Sequence, residues 1–248
     1  MTEQLDAPKG QALGSILMNV FSSPGEAFQG LRESESRATL WLIPLLLMIV
    51  LASLSTYIVL SNESLKGQVL ESRDRAVQQR VESGKLTQEQ ADQQKAAMEN
   101  MGGMFVAIGI VSNVILITLA TFAAALFLWL SGKIVMKTTA GYGKHLEVYG
   151  ISCWIGLLGG IVTLLMIVGL NSLYASPGAG LAVYASYNPL STTHKILTAL
   201  NVFSAWQAVV IGIGLAKLSD KSSTMGIGVA LVLWVLWIAV QILLQSLF

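Results

Sequence analysis

The sequence predicts an all-α membrane protein: a five-transmembrane-helix bundle with N-terminal amphipathic helices and an extramembrane helical hairpin between spans 1 and 2. Three observations predict it. Five apolar stretches, about 40–60, 104–130, 148–174, 199–216 and 225–248, contain no Asp, Glu, Lys, Arg or His. Each reaches or nearly reaches the roughly 20 helical residues that cross a hydrocarbon core of about 30 Å. Composition agrees, because 54% of the 248 residues are hydrophobic and 12% are charged, with a mean hydropathy of +0.65, less polar than a soluble domain. The charge is gathered in one internal block, 62–103, and in short connecting segments. Proton relays, voltage sensors and most coupled transporters need ionisable groups at membrane depth, so this pattern argues against those functions.

Residues 1–11 are polar and read as disordered. They lack a basic n-region and an early apolar run, so no cleavable signal peptide is expected and insertion starts with the first span. Leu13, Ile16, Leu17, Val20 and Phe21 then fall on one helical face. Ser23, Pro24 and Glu26 are spaced as N-cap, N1 and N3 of a second short helix carrying Ala27, Phe28 and Leu31. Residues 1–39 thus form a cytoplasmic N-terminal segment ahead of a membrane domain, 40–248. Its helices are too short to span. Either they lie in the lipid interface with Arg32, Glu33, Glu35 and Arg37 in water, or they pack on the protein's own helices.

The first span carries Trp41 at interface depth and Pro44 within about its first turn, where a missing amide N–H costs little. Residues 62–103 are the one sizeable soluble insertion. Gly84 is placed to end a helix, and Thr87 with Gln90 has capping-box spacing. The prediction is therefore a hairpin of helices over about 65–83 and 88–100. Its apolar positions, chiefly Leu65, Val69, Leu70, Val77, Val81 and Leu86, are sparse. The segment TTAGYGKHLEV reads as a loop into the third span. ASPGAGLAVYASYNPLSTTHK reads as an irregular loop into the fourth, broken by Gly178, Gly180, Pro177 and Pro189. The short link KLSDKSST makes the last two spans antiparallel neighbours.

Orientation follows from the basic residues of the short segments. With the N-terminus cytoplasmic, Lys9, Arg32, Arg37, Lys133, Lys137, Lys144, Lys217 and Lys221 lie inside, against Lys195 alone in the short outside loop. The hairpin and the C-terminus then lie outside.

Few residues suggest chemistry. His145 beside Glu147 in KHLEV resembles an acid/base or metal pair, but the predicted topology puts His145 in a cytoplasmic loop and His194 in an outer one. No zinc site can be shared across a membrane. Cys153 is the one cysteine, so a disulfide and a cysteine metal cluster are excluded. No nucleophile elbow, metalloprotease helix or P-loop occurs. The expectation is no enzyme, no catalytic residue, no metal and no cofactor. Net charge of +1 without a basic aromatic stripe gives no basis for nucleic-acid binding.

Polarity inside the spans is more informative. Gly156 and Gly160 make a G-x-x-x-G in the third span; Ala208, Gly212 and Ala216 continue small residues in the fourth, and Gly226 with Ala230 in the fifth. Such residues let helices approach closely, as a packing seam in the bundle or as a dimer face. The amides Asn113, Asn171, Asn201, Gln207, Gln241 and Gln245 all fall at or outward of mid-membrane on this topology. Asn113, Asn201, Ser204 and Gln207 are the candidate polar intramembrane cluster. It either bonds helix to helix or lines a polar cavity open to the outside.

SPGEAFQGL before the first span, GKLTQEQAD in the hairpin, HLEVYGISCWIGLLGG opening the third span and NVFSAWQAVVIGIGLA forming the fourth together resemble the Yip family of five-span membrane proteins, in particular its prokaryotic branch. The resemblance covers nearly the whole chain. It implies a cytoplasmic N-terminus, a C-terminus at or near the far side, residence in a prokaryotic inner membrane, and no established biochemical activity. Eukaryotic relatives associate with prenylated Rab-type GTPases, with budding components and with one another. This chain lacks their long N-terminal region and has a larger outer hairpin, which argues against carrying GTPase binding over. The functional expectation is an integral membrane scaffold or adaptor. Its partners would be the lipid bilayer and other membrane proteins or a second copy of itself. The alternative is a small transporter or channel, not proton-coupled, with an outward-facing polar cavity.

Overall fold

The computed structural model describes residues 11–100, 103–189 and 191–247, and the side chains of these except 98–100 and 244–247. The expectation for residues 1–10, and that for the Gln245 amide, lie outside this set. Ten α-helices occur among the described residues: α1 (Leu13–Ser22), α2 (Pro24–Ala27), α3 (Thr39–Ser61), α4 (Glu63–Glu82), α5 (Gln88–Asn100), α6 (Met104–Ile134), α7 (Tyr142–Gly169), α8 (Thr192–Ala199), α9 (Val202–Ser219) and α10 (Ser223–Leu247). The described residues form no strand; the extended pairing is a single antiparallel bridge, Gly178 with Asn201. Helices α3, α6, α7, α9 and α10 are long and apolar enough to cross a membrane.

Two compact units make up the chain. The first comprises residues 1–48, 116–160 and 202–239. Its core joins Ile16 and Val20 of α1, Phe28 and Leu31 after α2, Val148, Ile151 and Ile155 of α7, and Val210 and Leu218 of α9. The apolar face of α1 is therefore packed on the protein's own helices. Of the two placements the sequence left open for this helix, the structure shows the packed one, with α7 and α9 covering that face. The outer face of α1 is open, with Met18 73% exposed. Ser23 precedes α2 as expected but caps it with no side-chain bond. Arg32, Glu33 and Glu35 are exposed as predicted, whereas Arg37 is half-buried.

Helix α3 begins at Thr39, so Pro44 lies in its second turn and cannot bond the Leu40 carbonyl. That carbonyl faces Gly150 of α7, where a Cβ would come within 2.6 Å of it. The side chain of Trp41 packs edge-on against Phe122. Helices α9 and α10 meet where the sequence placed small residues: a Cβ on Gly212 would lie 2.7 Å from the Ile227 nitrogen, and one on Gly226 would strike the Gly212 carbonyl oxygen.

The second unit comprises residues 49–115, 161–201 and 240–248. Helices α4 and α5 form the predicted hairpin. Gly84 takes φ +71°, and the capping box closes in both directions: Thr87 N–H donates to Gln90 Oε1 at 3.0 Å, and Gln90 N–H to Thr87 Oγ1 at 3.2 Å. Asn62 caps α4 by accepting the Leu65 N–H at 3.1 Å. Lys95 pairs with Asp74 across the hairpin at 3.1 Å. The segment between α7 and α9 is more regular than Pro and Gly suggested. It contains two 3-10 turns, 179–182 and 184–186, and helix α8, capped by Ser191 accepting the His194 N–H at 3.3 Å.

Candidate functional site

The largest departure from the sequence reading is at the start of α7. TTAGYGKHLEV was expected to be a loop, with every formal charge outside the spans. The helix instead begins at Tyr142, so Lys144, His145 and Glu147 are helical. Glu147 is 1% exposed and His145 is fully buried.

A buried carboxylate must be paired and hydrogen-bonded. Lys144 and Glu147 are three residues apart, hence on one helix face, and Lys144 Nζ meets Glu147 Oε2 at 2.9 Å. The other oxygen, Oε1, accepts the backbone N–H of Arg37. Lys144 Nζ also donates to the Glu35 carbonyl at 3.1 Å and to Ser34 Oγ at 3.4 Å. Farther along, Arg37 Nη1 donates to the Gln11 carbonyl at 2.7 Å, and Gln11 Nε2 to the Glu26 carbonyl at 2.7 Å and the Gln29 carbonyl at 3.2 Å. The Glu147 carboxylate thus holds residues 34–37, directly and through Lys144, and Arg37 ties them to the start of the segment 11–38. Both of its oxygens are engaged, so the group serves as an anchor for donors rather than as a free base.

His145 is held separately. Its Nδ1 lies 2.9 Å from the Gly141 carbonyl, which can only accept, so this nitrogen carries the proton. Nε2 faces Gly132, where a Cβ would lie 2.6 Å away, and has no hydrogen-bond partner among the described residues. Nearby, Thr138 Oγ1 donates to the Leu218 carbonyl at 3.0 Å and ties the α6–α7 connection to the end of α9.

The amides predicted as a polar cluster divide between the units. In the second, Asn113 Nδ2 donates to Thr56 Oγ1 at 2.9 Å, joining α6 to α3. Asn201 lies just before α9 rather than inside it, and pairs through its backbone with Gly178. Asn171 lies beyond the end of α7 and donates to Ser64 Oγ at 2.8 Å. In the first unit, Gln207 Nε2 reaches Ser152 Oγ at 3.4 Å and Cys153 Sγ at 3.8 Å, and its Oε1 rests against Gly156. Ser204 is half-buried in the same helix and has an interaction of its own. Gly156 therefore does make room for α9, while the neighbouring contact belongs to Gly159, on which Phe203 sits; Gly160 is half-buried. Period-four counting passes over Gly159 because the seam steps by three.

The sequence reading set Glu147 beside His145 and missed its pairing with Lys144 and with the Arg37 amide. The three-residue spacing of Lys144 and Glu147 was the available signal. No curated protein and no solved structure matches the chain significantly. The Yip1 domain family profile does, over residues 18–244, from within α1 to within α10. The matched stretch holds residues 18–38 of the anchored segment, the hairpin and the five candidate spans. The chain is an integral membrane protein that belongs to the Yip1 domain family.

Proposed function

We propose that this Yip1 domain protein is a non-enzymatic membrane scaffold or adaptor that presents the α4–α5 hairpin to protein partners. The observation that carries the reading is how the hairpin is rooted. Gln68 Nε2 donates to the Asn171 carbonyl at 2.9 Å, and Gln68 Oε1 accepts the Leu173 N–H at 3.1 Å. The Arg73 guanidinium lies 4.6 Å from the Phe105 ring centroid. Leu65 is fully buried at the base. Farther out, the helices expose charged and amide side chains along most of their length. A surface fixed at one end and wet along the rest suits docking rather than catalysis.

The positive-inside count supports a cytoplasmic N-terminus. Arg32, Arg37, Lys133, Lys137, Lys144, Lys217 and Lys221 lie in the short segments that this orientation puts inside, against Lys195 in the short outside segment. The hairpin then faces outward from a prokaryotic inner membrane. The partners are the bilayer and other membrane proteins or a second copy, with no nucleic acid. The bonds of Asn113 and Gln207 to neighbouring helices support a packing role for the amides and give the transporter alternative no specific foothold.

The test compares the intact protein with one whose residues 65–97 are replaced by a short Gly-Ser linker. Both are purified in mild detergent and their partners quantified by mass spectrometry. A stoichiometric partner present only with the intact hairpin is expected. Solute flux through the purified protein in liposomes, without such a partner, would contradict the reading.

A further inference from the structure

Residues 11–38 cover an apolar groove between α7 and α9. The Phe28 ring lies on Gly214, beside Val148, while Ile16, Val20 and Leu31 fill the rest. In water, burying these side chains would by itself hold the cover in place. At a membrane that force largely vanishes, because lipid tails are as apolar as the groove. Helix α1 is suited to exchange one for the other: residues 13–22 contain no charged side chain, and Leu13 and Met18 are exposed on its outer face. What remains to hold the cover is polar and converges on one residue. Glu147 accepts the Arg37 amide, and through Lys144 it also fixes the Glu35 carbonyl and Ser34. Hydrogen bonds to a charged partner are the stronger kind, and each is strengthened by burial.

We propose that residues 11–38 form a releasable cover, latched by Glu147, whose open state lays α1 in the lipid interface and uncovers the α7–α9 groove floored by Gly214. Glu147 is a positioning residue that acts through the Arg37 amide and Lys144. The closed and open states are two populations, and the latch sets their ratio. This inference is independent of what the hairpin binds.

The test uses the Cys153→Ala protein with spin labels on cysteines at Met18 and Lys221, in nanodiscs of phosphatidylcholine and phosphatidylglycerol, read by pulsed electron paramagnetic resonance. A single short-distance population is expected for the parent. Glu147→Ala is expected to raise a longer-distance population at least tenfold, with the label at 18 gaining contact with lipid-dissolved oxygen. Lys144→Met keeps the carboxylate but removes the ammonium, and a rise of at least threefold is expected. A second label pair, at Thr139 and Lys221, must stay unchanged in both variants. Unchanged Met18–Lys221 distances in Lys144→Met overturn the proposal. So does a Glu147→Ala protein whose Thr139–Lys221 distances also broaden, because the carboxylate would then hold the bundle rather than the cover.

Discussion

The ring of Phe28 rests directly on Gly214. A Cβ at that glycine would lie 3.0 Å from two ring carbons and 2.6 Å from a methyl of Val148. Neither neighbour has a free direction to yield, since both are fully buried or nearly so. Gly214→Ala should therefore lower stability in detergent by about 1–3 kcal/mol, read as a lower unfolding midpoint. Combined with Phe28→Ala the loss should be less than the sum of the single losses, because the shortened side chain vacates the space that the new methyl needs.

Glycines of α10 separate backbone contact from composition. A side chain at Gly226 would strike the Gly212 carbonyl, whereas Gly228 meets nothing within 4 Å. Gly226→Ala should therefore yield aggregated or poorly assembled protein by size-exclusion chromatography. Gly228→Ala should change stability by less than about 1 kcal/mol.

These two glycines also mark what could be read from the chain. The small residues of α9 and α10 were legible because close helix approach demands them locally, as Gly84, Thr87 and Gln90 were legible for the hairpin. The start of α7 was not. Lys144, His145 and Glu147 look like a polar loop, and the burial of Glu147 is matched by an amide donor at Arg37, 110 residues earlier. Hydropathy along the chain carries no trace of that pairing. The fate of α1 was open for a related reason: its apolar face suits lipid or protein equally, and the helices that cover it lie far away in sequence.

The amides should behave as helix-to-helix bonds. Asn113→Leu removes the bond to Thr56, and Gln207→Leu those to Ser152 and Cys153. Each should cost about 0.6–2 kcal/mol, read by thermal unfolding in detergent. A double-mutant cycle of Asn113→Leu with Thr56→Val should recover most of the single loss. Loss of function in these variants at unchanged stability would instead favour a ligand-lining role.

Besides Asn171, φ 48°, after α7, two helix ends use residues in the left-handed region without glycine: Lys137, φ 55°, after α6, and Asp220, φ 52°, after α9. In each the following N–H closes the helix, Thr138 to the Gly132 carbonyl at 3.0 Å and Lys221 to the Ala216 carbonyl at 3.1 Å. Lys137→Gly should stabilise the protein by roughly 1 kcal/mol, because the Cβ clash of the left-handed conformation is relieved. Asp220→Gly should gain less, since Asp tolerates that region better than Lys. Unfolding midpoints check both.

The central claim is that the bundle holds the hairpin outside and the latched N-terminal segment inside. Single cysteines at Ser83, at the hairpin tip, and at Thr139, in the α6–α7 connection, both exposed, test it most directly in a Cys153→Ala background. Intact cells are treated with a membrane-impermeant maleimide, before and after permeabilisation. The prediction is that position 83 labels in intact cells and position 139 only after permeabilisation. The reverse pattern would contradict the account.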